Sequence, residues 1–353
     1  MGFRLTDDER AFQDTVRRYC EDQYQKAVPR RAFNGDLDAA KTFMDGLFEL
    51  GVGGMLVAPE HGGLGLRLTD AALVAETLGH FAMPGPFIGH ALSGFAISQY
   101  GTAHQKEEWL PRLSSGDCLA TIAIHEPQGR VLPDELAGAP GPDGRLSGDK
   151  KLVVGASRAD LIIVLQQRGG IALVETTSPG VRIEVPDLLD RTRPAEDVIF
   201  SEAAVQEMEG GGANLFDAYL LLLSADSFGG AQRVLEMTAD YVRERRQFDR
   251  TIADFQAVRH ELANLACEIE CCRGLYWYGI AAFDAGVSDR TKAAARAKSR
   301  LTDSFNSICR AAAQLHGGIG MTWEYNLQLW LKRAMLNYAL GGVPSRHRQR
   351  SFA

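Results

Sequence analysis

The sequence predicts an α+β chain of several domains: an α-helical part over residues 1–116, a middle β-barrel or β-sandwich over 117–208, and a helical bundle over 209–353. Three observations predict it. The first third carries helix caps and apolar residues at helical spacing. Near Ser115-Gly-Asp the pattern changes to short β-rich runs separated by turn residues. From Glu209 onward, long apolar stripes step by three and four, and each stripe needs a partner.

In chain order, Leu5-Thr-Asp-Asp-Glu-Arg offers Thr6 as N-cap with Glu9 three residues on, a capping box with acidic residues in the first turn. A second helix ends in Leu50-Gly-Val-Gly-Gly, and Val57-Ala-Pro-Glu-His-Gly-Gly-Leu-Gly is a turn-rich loop. Thr69 reads as the N-cap of a helix from Asp70 to Gly79. Pro84-Gly-Pro86 breaks it ahead of an apolar helix around Ala91 to Tyr100.

Strands are expected at Leu119–Ile124, Lys151–Val154, Leu161–Leu165, Ile171–Val174, Val181–Val185 and Val198–Phe200. The turn chemistry between them, at Pro140-Gly-Pro-Asp-Gly, Arg168-Gly-Gly and Ser178-Pro-Gly, favours a barrel or sandwich over parallel βαβ units. The bundle then follows from three stripes. These are Phe228, Ala231, Leu235, Thr238, Val242; Leu262, Leu265, Ile269, Cys272, Tyr276; and Ala297, Leu301, Phe305, Ile308, Ala312, Leu315.

Composition narrows the function classes. A chain of 353 residues with net charge −7 spread over both signs gives no reason to expect nucleic acid. No apolar run reaches membrane-spanning length. The N-terminus is acidic without a hydrophobic signal core, and the residues after Met1-Gly2 miss the myristoylation pattern, so a cytoplasmic location is expected. The six cysteines have no metal-site spacing and read as small buried thiols; no metal is expected.

Two stretches carry the most specific signal. One is Gln314-Leu-His-Gly-Gly-Ile-Gly-Met-Thr-Trp-Glu-Tyr-Asn-Leu-Gln-Leu-Trp-Leu-Lys-Arg333, where one helix closes on a glycine pair that a ligand can approach closely. The other is Arg245-Arg-Gln-Phe-Asp-Arg-Thr-Ile-Ala-Asp-Phe-Gln-Ala-Val-Arg-His-Glu-Leu-Ala263. Together, and with Leu50-Gly-Val-Gly-Gly and Pro59-Glu-His-Gly-Gly-Leu-Gly in the first domain, they resemble the paired signatures of the acyl-CoA dehydrogenase family.

The resemblance covers nearly the whole chain and implies a helical N-domain, a β-domain and a C-terminal four-helix bundle. It also implies FAD as cofactor, an acyl-CoA thioester as substrate and an electron-transferring flavoprotein as electron acceptor. A carboxylate removes the α-proton while flavin takes the β-hydrogen as hydride. In this family FAD crosses a dimer interface: its ring rests on one subunit and its diphosphate and adenosine reach the bundle of the mate. By motif, Arg245 matches the diphosphate contact, a role that suits a fixed cationic fork. Phe248 and Gln256 match the positions beside it, and Gln314, Gly317 and Gly318 the positions where amide and backbone meet FAD.

The sequence departs from the family in three places. In Ile124-His-Glu-Pro-Gln-Gly-Arg-Val131, His125 stands where a flavin-binding Thr or Ser is expected, and it reads as a loop residue without a ligand. Leu152 and Val154 stand where the family has an aromatic and a hydroxyl. Tyr338-Ala-Leu-Gly-Gly-Val-Pro344 puts glycine where many members carry the catalytic Glu, and the alternative position for that Glu holds Tyr219. Asp217 is a weak candidate base, because a two-residue offset turns a side chain roughly 200° around a helix.

The residues facing a mate's FAD are thus kept, and those serving the chain's own flavin are lost. This pattern resembles the short, degenerate subunit of α2β2 heterotetrameric acyl-CoA dehydrogenases, including members acting on steroid side-chain thioesters. The alternatives are a self-sufficient homotetramer with an unrecognised base and a non-catalytic acyl-CoA-binding scaffold. The acyl group, fatty or steroid, stays open.

Overall fold

The computed structural model describes residues 5–141 and 143–352. The pattern at Met1-Gly2 and Pro142 of the expected 140–144 turn lie outside the described residues.

Six helices come first: α1 (Asp7–Gln25), α2 (Val28–Phe33), α3 (Leu37–Glu49), α4 (Leu68–His80), α5 (Phe87–Tyr100) and α6 (Ala103–Ser115). The Thr6–Glu9 capping box forms in both directions, and Thr102 with Gln105 builds a second one on α6. Thr69 is not the cap of α4. That helix starts earlier, Asp70 accepts from the Arg67 N–H, and the Thr69 hydroxyl donates to Asp284 at 2.6 Å. Asp284 also accepts from the N–H groups of Leu68 and Thr69, so a carboxylate from a distant helix satisfies this helix start.

Seven strands follow: β1 (Ala120–Ala123), β2 (Arg145–Val154), β3 (Leu161–Leu165), β4 (Ile171–Glu175), β5 (Val181–Glu184), β6 (Ala195–Ala204) and β7 (Gln206–Met208). Among the described residues they form two sheets, ordered β1-β3-β4-β7 and β2-β6-β5, and no closed barrel. Ala123, Val153, Ile162, Val164, Val198 and Phe200 fill one buried cluster fed by both sheets, which makes the domain a sandwich. β1 and β3 pair in parallel, joined through β2 of the other sheet, and the remaining pairs are antiparallel. β2 and β6 run several residues beyond the expected apolar cores because their solvent-side residues are polar.

The bundle contains α7 (Gly212–Glu244), α8 (Gln256–Asp284), α9 (Arg290–His316) and α10 (Leu327–Ala339), with α11 (Pro344–Arg350) against α9. Between α7 and α8 lies the hairpin β8 (Arg246–Gln247) and β9 (Arg250–Thr251). From Leu215 to Gly230 every residue of α7 is buried, as expected of a helix at the centre of a bundle. It touches α4 through a glycine pair: a Cβ on Gly229 would lie 1.9 Å from the Glu76 carbonyl oxygen, and one on Gly79 2.0 Å from that of Asp226. Only glycine permits this backbone contact, which locks the first domain onto the bundle.

A buried polar network ties the sandwich to the same place. Arg333 of α10 donates to Asp190 at 2.6 Å and to the Met83 carbonyl at 3.1 Å, and also bonds Thr192. Arg193 donates to Asp226 at 2.6 Å, and Asn337 donates to the other Asp226 oxygen at 2.6 Å. Of the cysteines, Cys20, Cys118, Cys272 and Cys309 are buried, whereas Cys267 and Cys271 are exposed. The expectation of buried thiols fails for those two because α8 turns that face to solvent. No helix among the described residues is long and apolar enough to cross a membrane.

Candidate functional site

Two places collect the residues singled out by the sequence. The first is the bundle end where α7 and α9 both stop. Tyr241, one turn before the end of α7, stacks on His316, the last residue of α9, with ring centroids 4.4 Å apart. The Tyr241 hydroxyl donates to the His316 carbonyl at 3.2 Å. Arg245, which caps α7 and donates its N–H to the Tyr241 carbonyl, and Gly317, next after His316, are therefore brought to one end of the bundle.

The Arg245 side chain is exposed and makes no hydrogen bond or ion pair among the described residues. Gly317 has φ 65° and ψ −145°, a conformation essentially confined to glycine. A Cβ on Gly317 or Gly318 would meet nothing within 4 Å, so the backbone there is open to an incoming group. Gln256 opens α8, Gln314 lies in the last turn of α9, and both are exposed. Phe248 occupies the β8–β9 turn with positive φ at both central residues, Phe248 and Asp249. An 86% exposed aromatic in that backbone conformation is costly, and Phe255 meets it edge-on at 6.3 Å.

A free guanidinium, two amides and an open glycine backbone at a helix terminus fit the diphosphate of a dinucleotide. Exposed Ile319, Met321 and Trp323 continue this surface, an apolar set suited to contact with another chain.

The second place is the junction of the three parts. Ile88 and Gly89 of α5, Thr121 of β1, Val154 of β2, Arg193, Tyr219 and Leu223 of α7, and Leu340 line a cavity of only about 20 Å³. That is room for about one water. Burial raises the pKa of the Tyr219 phenol, so it stays protonated. Val154 and Leu152 give flavin no hydroxyl and no aromatic face, while a second cavity of about 450 Å³ shares Gly85, Pro86, Val154 and Arg193 with this one.

Gly341, beside Leu340, is held from both sides. Its N–H donates to His125 Nε2 at 2.9 Å, and its carbonyl accepts from His347 Nε2 at 2.8 Å. His125 is therefore no free loop residue but a buried acceptor. Burial, then the charges of Lys298 and Lys150, pushes its pKa down to about 4. His347 is pushed to about 3, first by burial and then by Lys298.

Asp217 lies on another face of α7 from Tyr219. It accepts from the Thr291 hydroxyl at 2.5 Å and from Arg350 at 3.0 Å, and burial raises its pKa despite Arg350. Both oxygens are engaged away from the cavity. The sequence reading missed the stack of Tyr241 on His316, the His125–Gly341–His347 contact and the buried Lys298, which has no carboxylate partner among the described residues. Only the first left a trace in the chain: an aromatic four residues before Arg245 and a His just before the glycine pair.

The acyl-CoA dehydrogenase N-terminal domain model matches residues 6–117 and the acyl-CoA dehydrogenase C-terminal domain model residues 216–350, together more than half of the chain. The chain belongs to the acyl-CoA dehydrogenase family. It is 27% identical over 341 residues to acyl-CoA dehydrogenase IpdE2 of Mycolicibacterium smegmatis, covering 96% of each. The solved Tcur3481-Tcur3483 steroid ACAD G363A variant superposes with a TM-score of 0.91 at 27% identity, over 98% of this chain and 97% of that one. The acyl-CoA dehydrogenase of Bacillus anthracis complexed with FAD shares the fold, with TM-score 0.86 at 20% identity over 98% of this chain and 68% of its own. FAD is the cofactor of this acyl-CoA dehydrogenase family.

Proposed function

We propose that this chain is a cytoplasmic subunit of a heteromeric acyl-CoA dehydrogenase, lending its bundle end to the FAD of a catalytic partner in an α2β2 assembly. The observation that carries this is the contrast between the two places. The bundle end offers unpartnered groups suited to a diphosphate, whereas the inner junction offers Leu152 and Val154 in place of an aromatic and a hydroxyl, and glycine in place of a carboxylate.

FAD, when bound, supplies the hydride acceptor for α,β-dehydrogenation of an acyl-CoA thioester. This chain's share is binding: Arg245 holds the diphosphate, Gly317 and Gly318 allow close approach, and Gln256, Gln314 and Phe248 flank it. Boundaries at 116/117 and 208/209 separate the three domains. A bulky, steroid-like acyl group is favoured by the steroid acyl-CoA dehydrogenase among the relatives, whose name joins Tcur3481 with Tcur3483. Electrons would leave through an electron-transferring flavoprotein.

The experiment is a flavin spectrum of the chain purified alone and of the chain isolated in its native assembly. Alone it should be colourless; in the assembly one FAD per heterodimer is expected. A homotetramer with full flavin occupancy and turnover would establish the self-sufficient alternative. In that case Asp217→Asn tests the remaining candidate base. Thioester binding without flavin in both preparations would make it a scaffold.

A further inference from the structure

The bundle end holds a second set of residues behind those that would touch FAD. His316 is buried, its Nδ1 donates to the Ala312 carbonyl at 2.8 Å, and its Nε2 accepts from the Tyr325 hydroxyl at 3.2 Å. This fixes one neutral tautomer, and burial, which lowers the His316 pKa, favours the same form. Tyr325 packs on the imidazole at 4.9 Å and meets Tyr241 edge-on at 6.2 Å.

The Tyr241 hydroxyl lands on the carbonyl of the His316–Gly317 peptide. That bond fixes the plane of the peptide leading into Gly317, whose φ of 65° and ψ of −145° turn the chain outward. On the other side, the Arg245 N–H is bonded to the carbonyl of the same Tyr241 at 2.9 Å. One residue thus connects to the cation through its backbone and to the glycine turn through its side chain.

We infer that Tyr241, with His316 and Tyr325 behind it, is a positioning residue that sets Arg245 and the Gly317-Gly318 backbone in register around one diphosphate. A pair serving packing alone needs only the ring stack. The hydroxyl adds nothing to the stack and acts on the glycine turn. The inference rests on the reading of this end as an FAD half-site.

The test uses the tagged chain isolated with its native assembly, stripped of FAD and titrated with FAD by flavin fluorescence. Tyr241→Phe keeps the stack and removes only the hydroxyl, and it should weaken FAD binding roughly fivefold, the equivalent of one hydrogen bond. Arg245→Ala should weaken it more. In the double variant the two losses should fall short of their product, because the hydroxyl, through the glycine turn, and the Arg245 guanidinium both act on one diphosphate.

If Arg245→Ala leaves the affinity unchanged, the half-site reading itself fails. If Arg245→Ala weakens FAD and Tyr241→Phe does not, only the positioning role is overturned. Losses that multiply in full would also overturn it, since general support of the fold predicts independence. The unfolding temperature of the flavin-free assembly should be nearly the same for Tyr241→Phe and wild type.

Discussion

Lys298 gives the sharpest quantitative expectation. It sits on α9 with no exposed surface and no carboxylate partner among the described residues. Its amine donates to the carbonyls of Asn337 at 2.7 Å and Tyr338 at 3.4 Å, and contacts the Thr302 hydroxyl at 3.3 Å. The amine thereby satisfies the last carbonyls of α10 just before the Gly341 turn. Burial in this apolar setting pulls its pKa from 10.5 down to about 7.

The unfolded chain therefore holds the Lys298 proton more tightly than the folded one. Between pH 7 and 10.5 the unfolded state carries one more proton, so stability rises with pH by ~1.4 kcal/mol per unit. Below that window the fold carries the full cost of the buried charge, on the order of 5 kcal/mol. Lys298→Met removes the titration while keeping volume and burial. Urea unfolding of both proteins at pH 7.5 and 9.5, followed by tryptophan fluorescence, isolates the effect, because every other titrating group is common to both. Wild type should gain ~3 kcal/mol relative to the variant over those two units. A wild-type-minus-variant difference that stays flat with pH would refute the reasoning.

Three further outcomes follow from the same geometry. His125, with a pKa of about 4, contributes stability that is complete above pH 6.5 and falls as the pH drops towards 4. His125→Gln, which can still accept from Gly341 N–H, should flatten that slope in acid urea titrations, whereas His125→Ala should cost ~1–3 kcal/mol at neutral pH by orphaning the N–H. Arg333→Met leaves Asp190 without its guanidinium and should cost ~3–5 kcal/mol in urea unfolding. Gly317→Ala forces an alanine into a glycine conformation and should cost ~1–3 kcal/mol, whereas Gly318→Ala, with negative φ and open space, should leave chain stability unchanged.

The sequence made the architecture legible wherever burial repeats locally. Phe228, Ala231, Thr238 and Val242 on α7 and the stripe from Ala297 to Ala312 on α9 are buried as their spacing implies, since packing on one side of a helix imposes one period over many residues. It failed where a partner lies far along the chain. Thr69 has the right chemistry for a cap, yet Asp284 takes its hydroxyl from 215 residues away. His125 looks like a loop residue until Gly341, 216 residues on, donates to it. Register across the two sheets is equally invisible, because short apolar strands do not encode whether β1 meets β3 in parallel.

At the site, Arg245 and the glycine pair stand out because charge and backbone freedom are properties of single residues. The cavities of the junction could not be read, because the one of about 20 Å³ is set jointly by α5, β1, β2, α7 and Leu340. Glycine at the turn after α10 hinted at lost chemistry without showing that His125 and His347 hold it from both sides.

The most direct measurement is the FAD content of the chain isolated alone and in its native assembly, read from the flavin absorption spectrum and the subunit ratio. The account predicts no bound flavin for the lone chain and one FAD for each pair of unlike subunits. Full flavin in a homo-oligomer of this chain would contradict it.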